Sequence, residues 1–224
     1  RDNGSLTRPA WIEADLLRAS GEAVTARLVT WDGEKAALKT GEAAEAVAAE
    51  LRAARYTVTS MRHQEKKRRP LPPYITSTLQ QDAFRRLRYS ASRTMMLAQQ
   101  LYEGVELGPE GPVGLITYMR TDSTRLSGDA VDEVRGMIGE VYGPEYLPDA
   151  PRFYKARATA QGAHEAIRPA SALHTPASVR PYLRDDLFKL YTLIWNRFVA
   201  CQMSDERVRV TTAEIGAGRA GLRV

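Results

Sequence analysis

The chain has 224 residues, 43% of them hydrophobic and 26% charged, the balance of a water-soluble globular protein with material for one large domain or two ordinary ones. No apolar run reaches the ~20 residues of a membrane-spanning helix, and nothing behind the opening RDNGSLTRPAW would make a signal peptide. The formal charge of +5 favours an anionic partner, and the single Cys201 excludes a disulfide or a cysteine-built zinc site within the chain, as suits a reducing compartment.

Along the chain, VTARLVTW alternates with period two, placing Val24, Ala26 and Leu28 on one face of a strand and Thr25, Arg27, Val29 and Trp31 on the other. Asp32-Gly33 predicts a hairpin turn, and Thr40 predicts the N-cap of a helix over about 42–54 with Val47 and Leu51 inward. Alternation returns at Tyr56–Ser60, followed by the basic residues Arg62, Lys66, Lys67, Arg68 and Arg69. Such a run is ordinarily a solvated face; a second one, Arg85, Arg86, Arg88 and Arg93, shifts the reading toward nucleic acid.

Pro70, Pro72 and Pro73 mark a change of character, since proline fixes φ and excludes helix before it. Beyond them Ser77 or Thr78 predicts a helix cap, with Leu79, Ala83, Phe84 and Leu87 inward. Ser90 predicts a second helix to Glu103, with Met95, Ala98, Leu101 and Tyr102 inward and Gly104 just past its end. The short link between them suits a helix-turn-helix, and a strand GLITY is expected after it, a winged-helix-like order. Ser127 predicts a helix at about 128–141, and Leu187, Leu190, Tyr191, Ile194, Trp195 and Phe198 form the apolar stripe of a helix at about 184–202. The alternating RVRVTTAEIG then rejoins the first strand-rich part. The fold class expected is therefore α+β: a strand-rich domain of residues 1–77 plus 205–224, with a mainly helical, winged-helix-like domain of residues 78–204 inserted in it.

The segment GLITYMRTDS carries the chemistry. On a strand, Tyr118 and Arg120 would project together while Thr117 and Met119 face away. Tyrosine is a poor nucleophile at neutral pH, and a neighbouring guanidinium favours the phenolate and stabilises charge building on a phosphoryl group. The pair thus suits attack on a phosphodiester, but spacing alone favours a half-buried tyrosine packed on an arginine stem, since such neighbours are common at surfaces. In QGAHEAIRP, His164 and Arg168 would share one face of a helical turn, offering an imidazole and a second guanidinium to an anion. His63 and His174 lack metal-ligand spacing, so no metal site is expected in the chain.

Four segments in register, PPYITSTLQQDA, RTMMLAQQLYEG, GLITYMRTDS and AHEAIRP, resemble the middle of the bacterial DNA topoisomerase I family, type IA topoisomerases; the resemblance covers roughly residues 70–170. It implies that Tyr118 is the nucleophile, cutting one DNA strand as a 5′-phosphotyrosine and resealing it, so that negative supercoils relax without ATP. It implies a catalytic, phosphate-contacting Arg120 and a catalytic His164 that also supports DNA binding. Arg168 is expected at phosphate, and Gln80 and Arg93, with Thr94, in helix packing with DNA contacts. The resemblance further implies a strand-rich gate domain, the part of the arch that lifts to open a toroidal hole. It implies Mg2+ held by an upstream Toprim domain that has no counterpart here, DNA and the remaining domains as partners, a monomer, and a bacterial cytoplasmic location at the nucleoid. The start at Arg1 and the end at AGLRV, in mid-pattern, agree with a piece of a longer protein, one expected to be inactive alone. The alternative is a non-catalytic winged-helix-like module that binds nucleic acid and uses its tyrosine structurally.

Overall fold

Two periodicities build two separate hydrophobic cores. The computed structural model describes residues 5–17, 21–154 and 164–224, and they fall into one unit reaching to Lys66 together with Arg207–Val224, and a second, Lys67–Glu206. The chain is α+β throughout.

In the first unit, β1 (Ser5–Ala10) pairs antiparallel with β5 (Leu38–Thr40). The main sheet runs β2 (Glu13–Leu17), β3 (Ala23–Trp31), β10 (Ala220–Arg223), β9 (Glu206–Ala217), β6 (Tyr56–Arg68), with the short β4 (Glu34–Lys35) on β3. Asp32 and Gly33 turn the β3–β4 hairpin, both with positive φ (51° and 83°), the geometry that makes this dipeptide a hairpin signal. Helix α1 (Gly41–Ala53) is capped by Thr40, whose hydroxyl accepts from the Ala43 N–H, and it buries Val47 and Leu51. These join Ala26, Leu28, Ile215 and Leu222 in one core, so of the two faces of β3 the one carrying Ala26 and Leu28 is the buried one. The basic side chains of β6, from Arg62 to Arg68, are all exposed.

The second unit is helical. Helix α2 (Thr76–Leu87) is capped two or three residues before the expected Ser77 or Thr78: Ile75 is its N-cap, and the Thr78 hydroxyl accepts from the Ile75 N–H at 3.0 Å. Arg88, in the left-handed region at φ 59°, ends it. Helix α3 (Ala91–Glu103) is capped by Ser90 and stopped by Gly104 at φ 129°. A two-stranded hairpin of β7 (Val105–Glu106) and β8 (Pro112–Val113) follows. Helix α4 (Gly128–Val141) is capped by Ser127 as its sequence predicts. After the one-turn α5 (Pro176–Val179), α6 (Asp185–Gln202) runs through the core and buries Leu187, Leu190, Tyr191, Ile194, Trp195 and Phe198.

Three local expectations change. Residues 67–77 belong with the helical unit; Tyr74, 1% exposed, sits in that unit's core and donates its hydroxyl to Asp82 at 2.7 Å. Phe84 points outward, at 59% exposed, because the inward position on α2 goes to Asp82, held by Tyr74 and, at 3.6 Å, by Arg197. Tyr102, also expected inward, is 40% exposed.

Candidate active site

The segment beginning at Gly114 is not a strand but an irregular stretch that bends at Thr117, Met119 and Arg120. A Cβ on Gly114 would stand 2.8 Å from the Tyr102 carbonyl oxygen, so glycine lets the chain press against the end of α3, where the Leu115 N–H donates to the Leu101 carbonyl at 2.7 Å. The segment then engages residues 166–170 rather than a sheet. Ile116 and Pro169 form an isolated bridge, the Thr117 N–H donates to the Arg168 carbonyl at 2.9 Å, and the Ala170 N–H donates to the Leu115 carbonyl at 2.9 Å. The expected alternation survives without the strand: Tyr118, Arg120 and Asp122 are exposed, and Met119, Thr121 and Ser123 are buried.

Two threonines fix this segment on either side of the tyrosine. Thr117 donates its hydroxyl to the Ala166 carbonyl at 2.7 Å and accepts from the Arg168 N–H at 3.0 Å. Thr76, the first residue of α2, has its hydroxyl 2.8 Å from the Met119 carbonyl oxygen and accepts from the Thr121 N–H at 2.9 Å. The backbone on both sides of Tyr118 and of Arg120 is therefore tied to neighbouring segments. Sequence reasoning missed both threonines. The alternation that sends Thr117 away from Tyr118 is the signal that pointed to its grip; nothing local marks Thr76.

The Tyr118 ring is 40% exposed. It meets Tyr102 edge-on, with centroids 5.4 Å apart, and lies 6.2 Å from the His164 ring. This contact explains the outward Tyr102. Arg120 is exposed and, among the described residues, makes no hydrogen bond or ion pair within the chain. It lines a depression with Thr76, Ser77, Asp122 and His164. Tyr118, Arg120 and His164 are thus brought together from two segments far apart in sequence. Residues 155–163, including the Gln161-Gly-Ala start of the histidine motif, lie outside the described residues.

Arg168 does not face the depression as expected, and there is no helical turn at 164–168. Its guanidinium, 13% exposed, pairs with Glu165 at 2.7 Å and donates to the carbonyls of Pro169 at 2.9 Å and Ala170 at 3.2 Å. With its donors so occupied it holds the loop rather than offering itself to phosphate. Arg93 is also committed elsewhere, to Asp186 at 3.6 Å and over the Tyr89 ring at 4.5 Å. Thr94 is buried, its hydroxyl on the Ser90 carbonyl at 2.9 Å. Gln80 stays near the site, in a groove that Arg120 also lines.

A profile of the DNA topoisomerase family matches residues 11–223. The chain belongs to the DNA topoisomerase family. It is 44% identical over 221 residues to DNA topoisomerase 1 of Xylella fastidiosa (strain 9a5c), covering 95% of this chain and 27% of that protein. DNA topoisomerase 1 of Treponema pallidum is 45% identical over 210 residues, covering 94% of this chain and 28% of that one. Full-length topoisomerase I from Thermotoga maritima superposes with a TM-score of 0.69 at 40% identity, over 89% of this chain and 31% of that chain. This topoisomerase chain therefore spans about a quarter to a third of its relatives' length. Among the described residues, no three His, Cys, Asp or Glu side chains gather as metal ligands, and Asp122 is the only carboxylate lining the depression with His164. The described residues of the depression do not supply the cluster of carboxylates that a magnesium centre needs. No described helix is long and apolar enough to cross a membrane.

Proposed function

We propose that this chain supplies the strand-cutting tyrosine of a bacterial type IA topoisomerase that relaxes negatively supercoiled DNA. The Tyr118 oxygen gives up its proton and attacks a backbone phosphorus, a phosphotyrosine ester forms on the 5′ side, and the bond to the 3′ oxygen breaks, that oxygen taking up a proton and leaving as a hydroxyl, so that protons balance. Reversal reseals the strand, and since one phosphodiester replaces another, no ATP is required. Arg120 neutralises charge on the phosphoryl oxygens, and His164 orients the same phosphate beside the tyrosine ring. Gln80 lies within reach of the bound strand. The observation that carries this reading is the exposed Tyr118 beside His164, with an uncommitted Arg120 on the same face.

On this reading the magnesium-binding Toprim domain, the cytoplasmic location at the nucleoid and the monomeric state belong to the whole protein, and the chain alone does not relax DNA. The test is relaxation of negatively supercoiled plasmid by the chain combined with the N-terminal part of its parent and magnesium. Activity is expected with Tyr118 and none with Tyr118→Phe; relaxation that survives the substitution refutes the assignment.

One observation favours a second reading. The helix α2, the turn at Arg88–Ser90, the helix α3 and the hairpin β7–β8 follow the winged-helix order, which suits a module that only binds nucleic acid. That reading expects salt-dependent binding without a covalent adduct.

A further inference from the structure

Arg120 belongs to two hollows. One is the depression it shares with Thr76, Asp122 and His164; the other is a groove between α2 and α3, lined by Gln80, Ser92, Met95, Met96 and Gln99. Ser92, Met95, Met96 and Gln99 stand at i, i+3, i+4 and i+7 along α3 and form one stripe. They lie beside the buried stripe of Thr94, Leu97, Ala98 and Leu101 that anchors the helix, and Met95 also packs against that core. Met96 is 51% exposed. The first turn of α3 adds only the small Ala91 and Ser92 to the groove wall.

We infer that this groove receives a nucleobase of the strand whose phosphate Arg120 holds, an inference that rests on the proposed function. A base has two apolar, polarisable faces and one hydrogen-bonding edge, and a sugar joins it to its phosphate. The groove offers the matching set: thioethers for the faces, carboxamides for the edge, and a guanidinium at one end for the phosphate. Gln80 and Gln99 each present both a donor and an acceptor. Any of the four bases can satisfy them, so the groove reads the presence of a base and not its identity. Gln99 donates to Glu103 at 2.5 Å, which fixes its amide in the groove wall. Charge complementarity favours this occupant over an apolar peptide, which would leave the Arg120 guanidinium desolvated without a counter-charge.

The experiment uses the whole topoisomerase containing this chain and a single-stranded oligonucleotide in which one abasic nucleotide is walked past the cleaved bond. Affinity is measured at each position, and the Tyr118 adduct is mapped on the unmodified oligonucleotide. Affinity is expected to fall about two- to tenfold, the range of a thioether on an aromatic face, at one nucleotide adjoining the scissile phosphate. The loss should vanish in Gln80→Ala/Met96→Ala, a half-buried and an exposed side chain outside the buried core, with thermal unfolding of the variant checked against that of the parent. A flat abasic scan, or a penalty unchanged in the variant, overturns the inference while a Tyr118 adduct leaves the functional reading standing. Absence of the adduct refutes that reading, and the scan still decides the groove.

Discussion

The Thr76 hydroxyl lies 2.8 Å from the Met119 carbonyl oxygen and at the same time accepts the Thr121 N–H at 2.9 Å, bracketing Arg120 from both sides. One side chain at the start of α2 thus sets the backbone from which the exposed guanidinium projects. Thr76→Val keeps the shape but leaves the Thr121 N–H and a carbonyl without their partner, a cost of about 1–3 kcal/mol where the groups stay out of water. Thermal unfolding should show that loss. In the whole enzyme, strand cleavage should fall more than DNA affinity does, because the phosphate still meets Arg120 but in altered alignment. Thr76→Ser should restore both.

Tyr118→Phe makes the opposite contrast. The ring contacts with Tyr102 and His164 are made by carbon faces and edges that phenylalanine retains. A partly exposed site of this kind should change stability by less than about 0.5 kcal/mol. Denaturant midpoints should coincide for the two proteins while the covalent DNA adduct disappears; a large midpoint shift would mark the phenol as structural.

The two arginines expected at phosphate should part company. Arg168 is tied to Glu165, Pro169 and Ala170, so Arg168→Met removes several charge-assisted hydrogen bonds, each worth about 1.5–3 kcal/mol, and should lower the melting temperature clearly. Arg120→Met removes no bond within the described chain and should leave the melting temperature in place while abolishing cleavage. Equal destabilisation by both substitutions would contradict this division.

The sequence made much of this visible, and its failures have particular physical causes. Thr40, Ser90 and Ser127 cap their helices because capping is local, a hydroxyl meeting an N–H three residues on. Tyr118 and Arg120 were legible as a pair because burial alternates along their segment as the sequence pattern implies. The missing strand was not legible, since the partners of Ile116 and Thr117 are Pro169 and Arg168, some fifty residues away. Phe84 was misplaced for a related reason: an apolar count cannot see that Tyr74 and Arg197 bring a carboxylate, Asp82, into the core. Arg168 reads as an anion site until Glu165 is found folded back onto it.

The buried acids of the helical unit make its stability depend on alkaline pH. Burial pushes the Tyr154 phenol up to about 12 from an ordinary 10.0, and its hydroxyl donates to the Cys201 carbonyl at 2.8 Å. Burial raises the Cys201 thiol to about 12 from 9.0. Tyr74 and Tyr191 are raised too, chiefly by burial, Tyr74 also by its bond to Asp82. A folded-state pKa above the unfolded one means that the native protein holds protons the unfolded chain releases. The stability from these groups is complete below about pH 9, where neither state ionises them, and is lost as pH climbs from there through about 12. Denaturant midpoints should therefore fall steeply in that window, and phenolate absorbance should rise together with unfolding instead of ahead of it. Tyr154→Phe should flatten the fall, since a group that cannot ionise contributes no slope. A slope unchanged by this substitution would show that other groups govern the alkaline transition.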